Sequence, residues 1–205
     1  VTHPTLERER ALWAKGFRAV AGLDEVGRGP IAGPVVAAAV VLPPNQQPIE
    51  GLRDSKLLSA KQRERLAEEV RRAAFAWALG AASVREIDRL NIRRAAALAM
   101  RRAVERLPRP PDHILLDGHP LPELDWEHEA IVGGDNLCQT VSAASVLAKC
   151  ARDRLMVLLA PRYPEFGWEH NMGYATRDHL SALARAGPSP HHRMSFAPVA
   201  QPSLF

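Results

Sequence analysis

AGLDEVGRGPIAGPVV, residues 21–36, joins two apolar runs through a turn built largely of glycine and proline. FRAVAGLD (17–24) and PVVAAAVVL (34–42) are short apolar segments bounded by turn formers, so each reads as a buried strand. Asp24 and Glu25 stand at the end of the first, against Gly27, Arg28 and Gly29. Acids repel an anionic ligand, whereas a Gly-Arg-Gly loop invites one. Cations held by the acids reconcile the two, because they can bind a phosphate in turn.

Outward from this stretch, the pattern continues as strands separated and followed by helices. Thr5 to Lys15 reads as a short helix, and Ser59 with Gln62 is a capping box opening a helix to about Arg72. FAWALGAAS (75–83) reads as a third strand. Ser83 with Glu86 is a second capping box, and the spacing predicts one long helix to about Leu107, stopped by Pro108, Pro110 and Pro111. DHILLDG (112–118) and HEAIVGGD (128–135) read as two further strands. SAASVLAKCARDRLMVLLA (142–160) is strongly helical, and TRDHLSALARAG (176–187) is a last helix with Gly187 and Pro188 as stop signals. Grouped strands with helices between and after them predict an α/β fold with a mixed sheet and helices on its faces.

The 205 residues are 46% apolar and 24% charged, as expected of a soluble globular chain. No apolar run reaches membrane-spanning length, and the longest, PIAGPVVAAAVVLPP, is cut by prolines. With no basic-then-apolar leader visible, the expected location is cytoplasmic. Cys138 and Cys150 are expected in one helix, about 18 Å apart along its axis and too far to bridge. The absence of CxxC and HExxH motifs argues against zinc, and His191 and His192 read as ordinary surface or core histidines. A net charge of +4 permits a polyanionic partner without requiring one.

Asp24 and Asp117 each close a predicted buried strand and are followed by glycine within a few residues. One such acid is most simply a turn residue; two on neighbouring strands would converge. Glu25 can join Asp24 only if the strand breaks there, since successive side chains alternate faces. Asp153 shares a helical face with Lys149 and Ser145 and is the fourth candidate, with a solvated Lys–Asp pair as the plainer reading. Clustered carboxylates need cations, and all-oxygen donors suit Mg²⁺ or Mn²⁺.

These residues resemble the ribonuclease HII family from about Val20 to Pro198. GLDEVGRGPIAGPVVAAAVVL, RDSKLLS, LLDG, SAASVLAKCARDRLM, NMGYAT and GPSPHHRMSF resemble its motifs in the family's order. The resemblance implies a ribonuclease H-like fold: a five-stranded mixed sheet flanked by helices, with a small helical C-terminal region. It implies a catalytic core at 1–160, a helical substrate-binding region at 161–198 and a flexible tail at 199–205. It further implies hydrolysis of RNA in RNA/DNA hybrids and incision 5′ of single ribonucleotides in duplex DNA, leaving 3′-hydroxyl and 5′-phosphate ends. The implied metal-binding catalytic residues are Asp24, Glu25, Asp117 and Asp153. Gly27, Arg28 and Gly29 would read the 2′-hydroxyl, Tyr174 would stack on the following deoxyribose, and Lys56, Lys149 and Arg193 would hold phosphates. Asn136-Leu137 and Met172 stand where many relatives carry a basic residue, which bears on affinity and salt dependence. Ala175 replaces a usual glycine beside Tyr174.

QPSLF (201–205) resembles the bacterial sliding-clamp-binding pentapeptide, with Gln201, Leu204 and Phe205 as the contact residues; a terminal Phe folded back onto the domain is the plainer alternative. Two other functions fit an acidic cluster on this core: a metal-dependent DNA nuclease or strand transferase, and an inactive hybrid-binding module. The first gives no reason for the Gly-Arg-Gly loop followed by a Gly-Tyr motif, and the second none for a full set of acids. Family precedent implies a monomer.

Overall fold

The computed structural model describes residues 3–201. Five strands, β1 (Val20–Val26), β2 (Val35–Val41), β3 (Ala76–Ala82), β4 (His113–Asp117) and β5 (Glu129–Ile131), form one sheet in the order β3-β2-β1-β4-β5. β1 pairs antiparallel with β2, and β2 with β3, whereas β4 runs parallel to β1 and β5 parallel to β4. The sheet is therefore mixed, with β1 at its centre. Its three parallel strands end at the same edge.

Alternation sorts the strand side chains between two apolar layers. Val20, Val40 and Leu115 face α1 (Glu7–Ala14), α2 (Ala60–Ala73) and α5 (Gln139–Leu159). Leu23, Ile114 and Leu116 face α3 (Val84–Leu90) and α4 (Ile92–Glu105). Both strand faces are buried, which is why β2 reads as an unbroken apolar run.

α5 lies very close to β1. A Cβ at Gly22 would sit 2.1 Å from the Thr140 carbonyl carbon, so only glycine lets the helix backbone ride on the strand there. The helix N-terminus has no cap from its own Cys138. Buried Glu9 of α1 instead accepts from the Thr140 amide and hydroxyl, both at 2.8 Å, placing a carboxylate at the positive end of the helix. These contacts fix the height of α5 along β1.

The expected helix over 83–107 is two helices. Asn91 takes a left-handed φ of 68°, and its side chain accepts from the amides of Arg93 and Arg94, so it ends α3 and caps α4. β5 is only three residues long, because Gly133, at φ 70°, turns the chain away. α5 begins at Gln139, not Ser142, so Cys138 precedes the helix that contains Cys150. Burial pushes their thiols up to about 12 and about 11, and both are free.

The C-terminal segment carries α6 (Trp168–Asn171), α7 (Arg177–Ala186) and α8 (Ala197–Ala200). It packs through Phe166, Trp168 and Ala182 against Ala32 and Met156, and through Val199 against Ile31 and Leu183. The packed body thus continues through α8, beyond the expected start of the tail at 199. Leu204 and Phe205 lie outside the described residues. Among those described, no helix is long and apolar enough to cross a membrane.

Candidate active site

A cavity of about 300 Å³ opens at the edge where β1, β4 and β5 end. Its lining includes Asp24, Glu25, Asp117 and Asp135, with Gly27, Arg28, Gly29 and Tyr174 along its rim. The topology explains the convergence. Leu23 is paired with Leu116, so Asp24 and Asp117 stand one position further along adjacent parallel strands, on the side facing α5. β5 then delivers Asp135 from the Gly133-Gly134 turn, and Asp117 accepts from the Gly134 amide at 2.7 Å.

Glu25 reaches the cavity without the expected break. β1 runs on to Val26, with Glu25 paired to Ala37. Glu25 lines both this cavity and a second one of about 290 Å³ that reaches Arg93 and His119. Arg28 holds Glu25 at 3.1 Å.

The acids are charge-starved. Burial, followed by the charges of Glu25 and Asp117, holds Asp24 well above the usual carboxylate range, against a hydrogen bond from Ser145. Burial raises Glu25 despite Arg28, and burial with the charges of Asp117 and Asp54 raises Asp135. Asp24 and Asp135 are only 6% and 8% exposed. Among the described residues, no three acidic, His or Cys side chains already stand at mutual metal-binding distance. The donor set nonetheless fits hard divalent cations: oxygen-only ligands in a cluster whose own positive charge is insufficient.

Asp153 is not brought to this cluster. It accepts from Lys149 at 2.7 Å and is paired with Arg63 at 3.5 Å, and it is absent from the cavity lining. Ser145 meets Asp24, and Asp153 lies eight residues further along α5, about 12 Å down the axis. The Lys–Asp pair, the plainer reading of Asp153, is what the structure contains. Asp135 takes the fourth place. Its signal in the sequence was weaker than that of Asp24 and Asp117: an acid preceded, not followed, by glycine at the end of a predicted strand.

Arg193 is also misplaced as a phosphate contact. It is 0% exposed and donates to the carbonyls of Gly33, Arg28 and Gly27 at 3.0, 2.9 and 2.5 Å. Lys56 and Lys149 do line the cavity. Tyr174, 43% exposed, stands beside Gly29: a Cβ there would lie 3.7 Å from its ring. At Gly27, φ is 96° and a Cβ would lie 2.2 Å from the Arg152 guanidinium, so conformation and space both demand glycine.

Residues 21–199 match the family model described as Ribonuclease HII. Ribonuclease HII of Sphingopyxis alaskensis is 58% identical over 185 residues, covering 90% of this chain and 92% of that protein. The ribonuclease H2 structure from Pyrococcus horikoshii OT3 superposes with a TM-score of 0.76 at 27% identity, covering 90% of this chain and 97% of that one. A structure of the PCNA:RNase HII complex from Archaeoglobus fulgidus is similar, with a TM-score of 0.72, 26% identity, and coverage of 89% and 96%.

Proposed function

The chain belongs to the ribonuclease HII family, ribonuclease H endonucleases that hydrolyse RNA in RNA/DNA hybrids, and from that premise we propose that it also incises 5′ of single ribonucleotides in duplex DNA. The observation that carries the reading is the convergence of Asp24, Glu25, Asp117 and Asp135 beside the Gly27–Gly29 loop and Tyr174. Such an incision is the entry step of ribonucleotide excision repair.

The four carboxylates would hold two divalent ions, Mg²⁺ or Mn²⁺, which when bound supply Lewis-acid polarisation of the scissile phosphate and activation of water. Ser145 orients Asp24, the Gly134 amide orients Asp117, and Arg28 restrains Glu25. Lys149, itself held by Asp153, and Lys56 supply positive charge for the flanking phosphates. The Gly27–Gly29 backbone approaches the 2′-hydroxyl, which distinguishes RNA from DNA, and the Tyr174 ring offers a face to the next sugar. Cleavage leaves a 3′-hydroxyl and a 5′-phosphate. Residues 161–198 contribute Tyr174 and act as a substrate-binding region on the 1–160 core.

We further propose that the QPSLF tail contacts a sliding clamp, in keeping with the PCNA complex of the Archaeoglobus fulgidus relative. Removing residues 201–205 should abolish clamp binding and spare cleavage of short duplexes; clamp binding that survives the deletion refutes the contact.

The test of the main reading uses three labelled duplexes with Mg²⁺ or Mn²⁺: all-DNA, DNA with one ribonucleotide, and a full RNA/DNA hybrid. Cutting 5′ of the single ribonucleotide, with all-DNA intact, is the expected result. A hybrid cut without a junction cut would remove the single-ribonucleotide activity, and a cut all-DNA duplex would establish the DNA-nuclease alternative.

A further inference from the structure

Buried polar networks are expensive unless every member is satisfied, and a satisfied network holds the groups it reaches in one arrangement. Two such networks start at consecutive residues, His192 and Arg193. We infer that these are positioning residues, which together set the two elements that read the sugar step, the Gly27–Gly29 loop and Tyr174. The inference rests on the reading of those elements given above.

Arg193 occupies the acceptor side of the loop. A guanidinium buried without a carboxylate partner is costly, and here it is satisfied by backbone oxygens and by the Phe196 ring, whose centre lies 5.0 Å away. Its amide donates to the Ile31 carbonyl at 2.8 Å. Arg152 completes the support, donating to the carbonyls of Ala32 and Pro34, each at 3.0 Å. With the carbonyls of Gly27 and Arg28 taken from beneath, the amides of Gly27, Arg28 and Gly29 find no protein acceptor among the described residues, and these three residues line the cavity. The loop thus offers donors to an incoming hydroxyl or phosphate oxygen. The next residues, Met194 and Ser195, donate through their amides to Asp88 of α3 at 3.1 and 2.9 Å, anchoring the segment to the core.

His192 works on Tyr174 through His179, and hydrogen-bond partners assign every proton. The Ser189 amide donates to His192 Nδ1 at 2.9 Å, so the His192 proton is on Nε2, which faces His179 Nε2 at 3.0 Å. His179 Nδ1 lies 2.8 Å from the Tyr174 carbonyl oxygen, which can only accept, so His179 carries its proton on Nδ1. Its Nε2 is then free to accept from His192 and from the Trp168 indole at 3.2 Å. Both rings are neutral, and the chain of donors ends on the backbone of the residue that faces the sugar.

The experiment compares kcat/KM on the single-ribonucleotide duplex with that on the full hybrid, where any register can be cut, for Arg193→Lys, His192→Phe and His192→Gln. Arg193→Lys keeps the charge and loses the fork; His192→Gln retains an amide donor that His192→Phe lacks. The junction-to-hybrid ratio should fall about tenfold in Arg193→Lys and His192→Phe, the worth of one good hydrogen bond, and recover in His192→Gln. A structural role would lower both substrates together and leave the ratio intact. Arg28→Ala and Tyr174→Ala are run alongside. If they leave the ratio unchanged, the reading of the loop and Tyr174 fails; if they lower it and Arg193→Lys and His192→Phe do not, the positioning inference alone fails. Nitrogen NMR of the histidine rings in the wild-type protein tests the chain without any variant. Nδ1–H on His179 with Nε2–H on His192 is expected, and any other pair of tautomers overturns it.

Discussion

Two of the four acids that converge at the strand ends, Asp24 and Asp117, follow one rule, an acid followed by glycine where a buried strand stops. They were legible that way because strand ends are local properties, whereas Glu25 was expected to need a strand break that β1 does not have. Placing Asp153 outside the cluster requires knowing how far along α5 the contact with β1 falls, and that height is set by Gly22 against Thr140 and by Glu9 at the helix start. No spacing within the helix encodes it. Arg193 fails for a related reason: a basic residue in a motif resembling a substrate-binding signature gives no sign of burial. The two aspartates are separable by experiment. Asp135→Asn should reduce kcat on the hybrid by about a hundredfold or more, the scale for removing one group that stabilises the reacting centre, whereas Asp153→Asn should cost less than about tenfold and act on KM through Lys149. A larger kcat loss in Asp153→Asn than in Asp135→Asn would restore the original assignment.

At the level of elements, the capping boxes were read correctly because each is a contact between residues three apart. Ser59 with Gln62 opens α2, and Ser83 with Glu86 opens α3. The break at Asn91 was not legible, since the capping box before it and the Ala- and Arg-rich run after it read as one continuous helix. What overrides that propensity is the turn needed to lay α4 across the sheet, where a Cβ at Gly80 of β3 would meet the Ala99 carbonyl oxygen at 2.0 Å. Asn91 serves twice, through its left-handed backbone and its side-chain cap on Arg93 and Arg94. Asn91→Ala should therefore destabilise the fold by about 1–2 kcal/mol, the cost of a lost cap with added strain at positive φ, and Asn91→Gly by only a few tenths. Urea unfolding measures both. Equal midpoints for Asn91→Ala and wild type would mean that the cap contributes nothing and the break is set by packing alone.

For the whole molecule, the neutral histidine pair makes stability depend on pH in a direction opposite to that of the acid cluster. Burial, reinforced by His179, lowers His192 from 6.5 to about 4, with His191 on the same segment adding to the effect. Burial and the guanidinium of Arg162 likewise disfavour charge on neighbouring His191. A group whose folded pKa is depressed contributes its full stability above the unfolded pKa and loses it as pH falls towards the folded one. The His192 contribution should thus be complete above pH 6.5 and disappear as pH falls to about 4, a change on the order of 3 kcal/mol. Asp24, Glu25 and Asp135 act with the other sign: their raised pKa values mean that protonation relieves repulsion and favours the folded chain. A simple acid unfolding curve sums the two and hides both. Subtraction isolates the first, because the stability difference between wild type and His192→Gln contains no cluster contribution. That difference should be largest near pH 7 and shrink steadily as pH falls from 6.5 to about 4; a difference that stays level across this window would mean that His192 is already protonated, or that its burial carries no pH linkage.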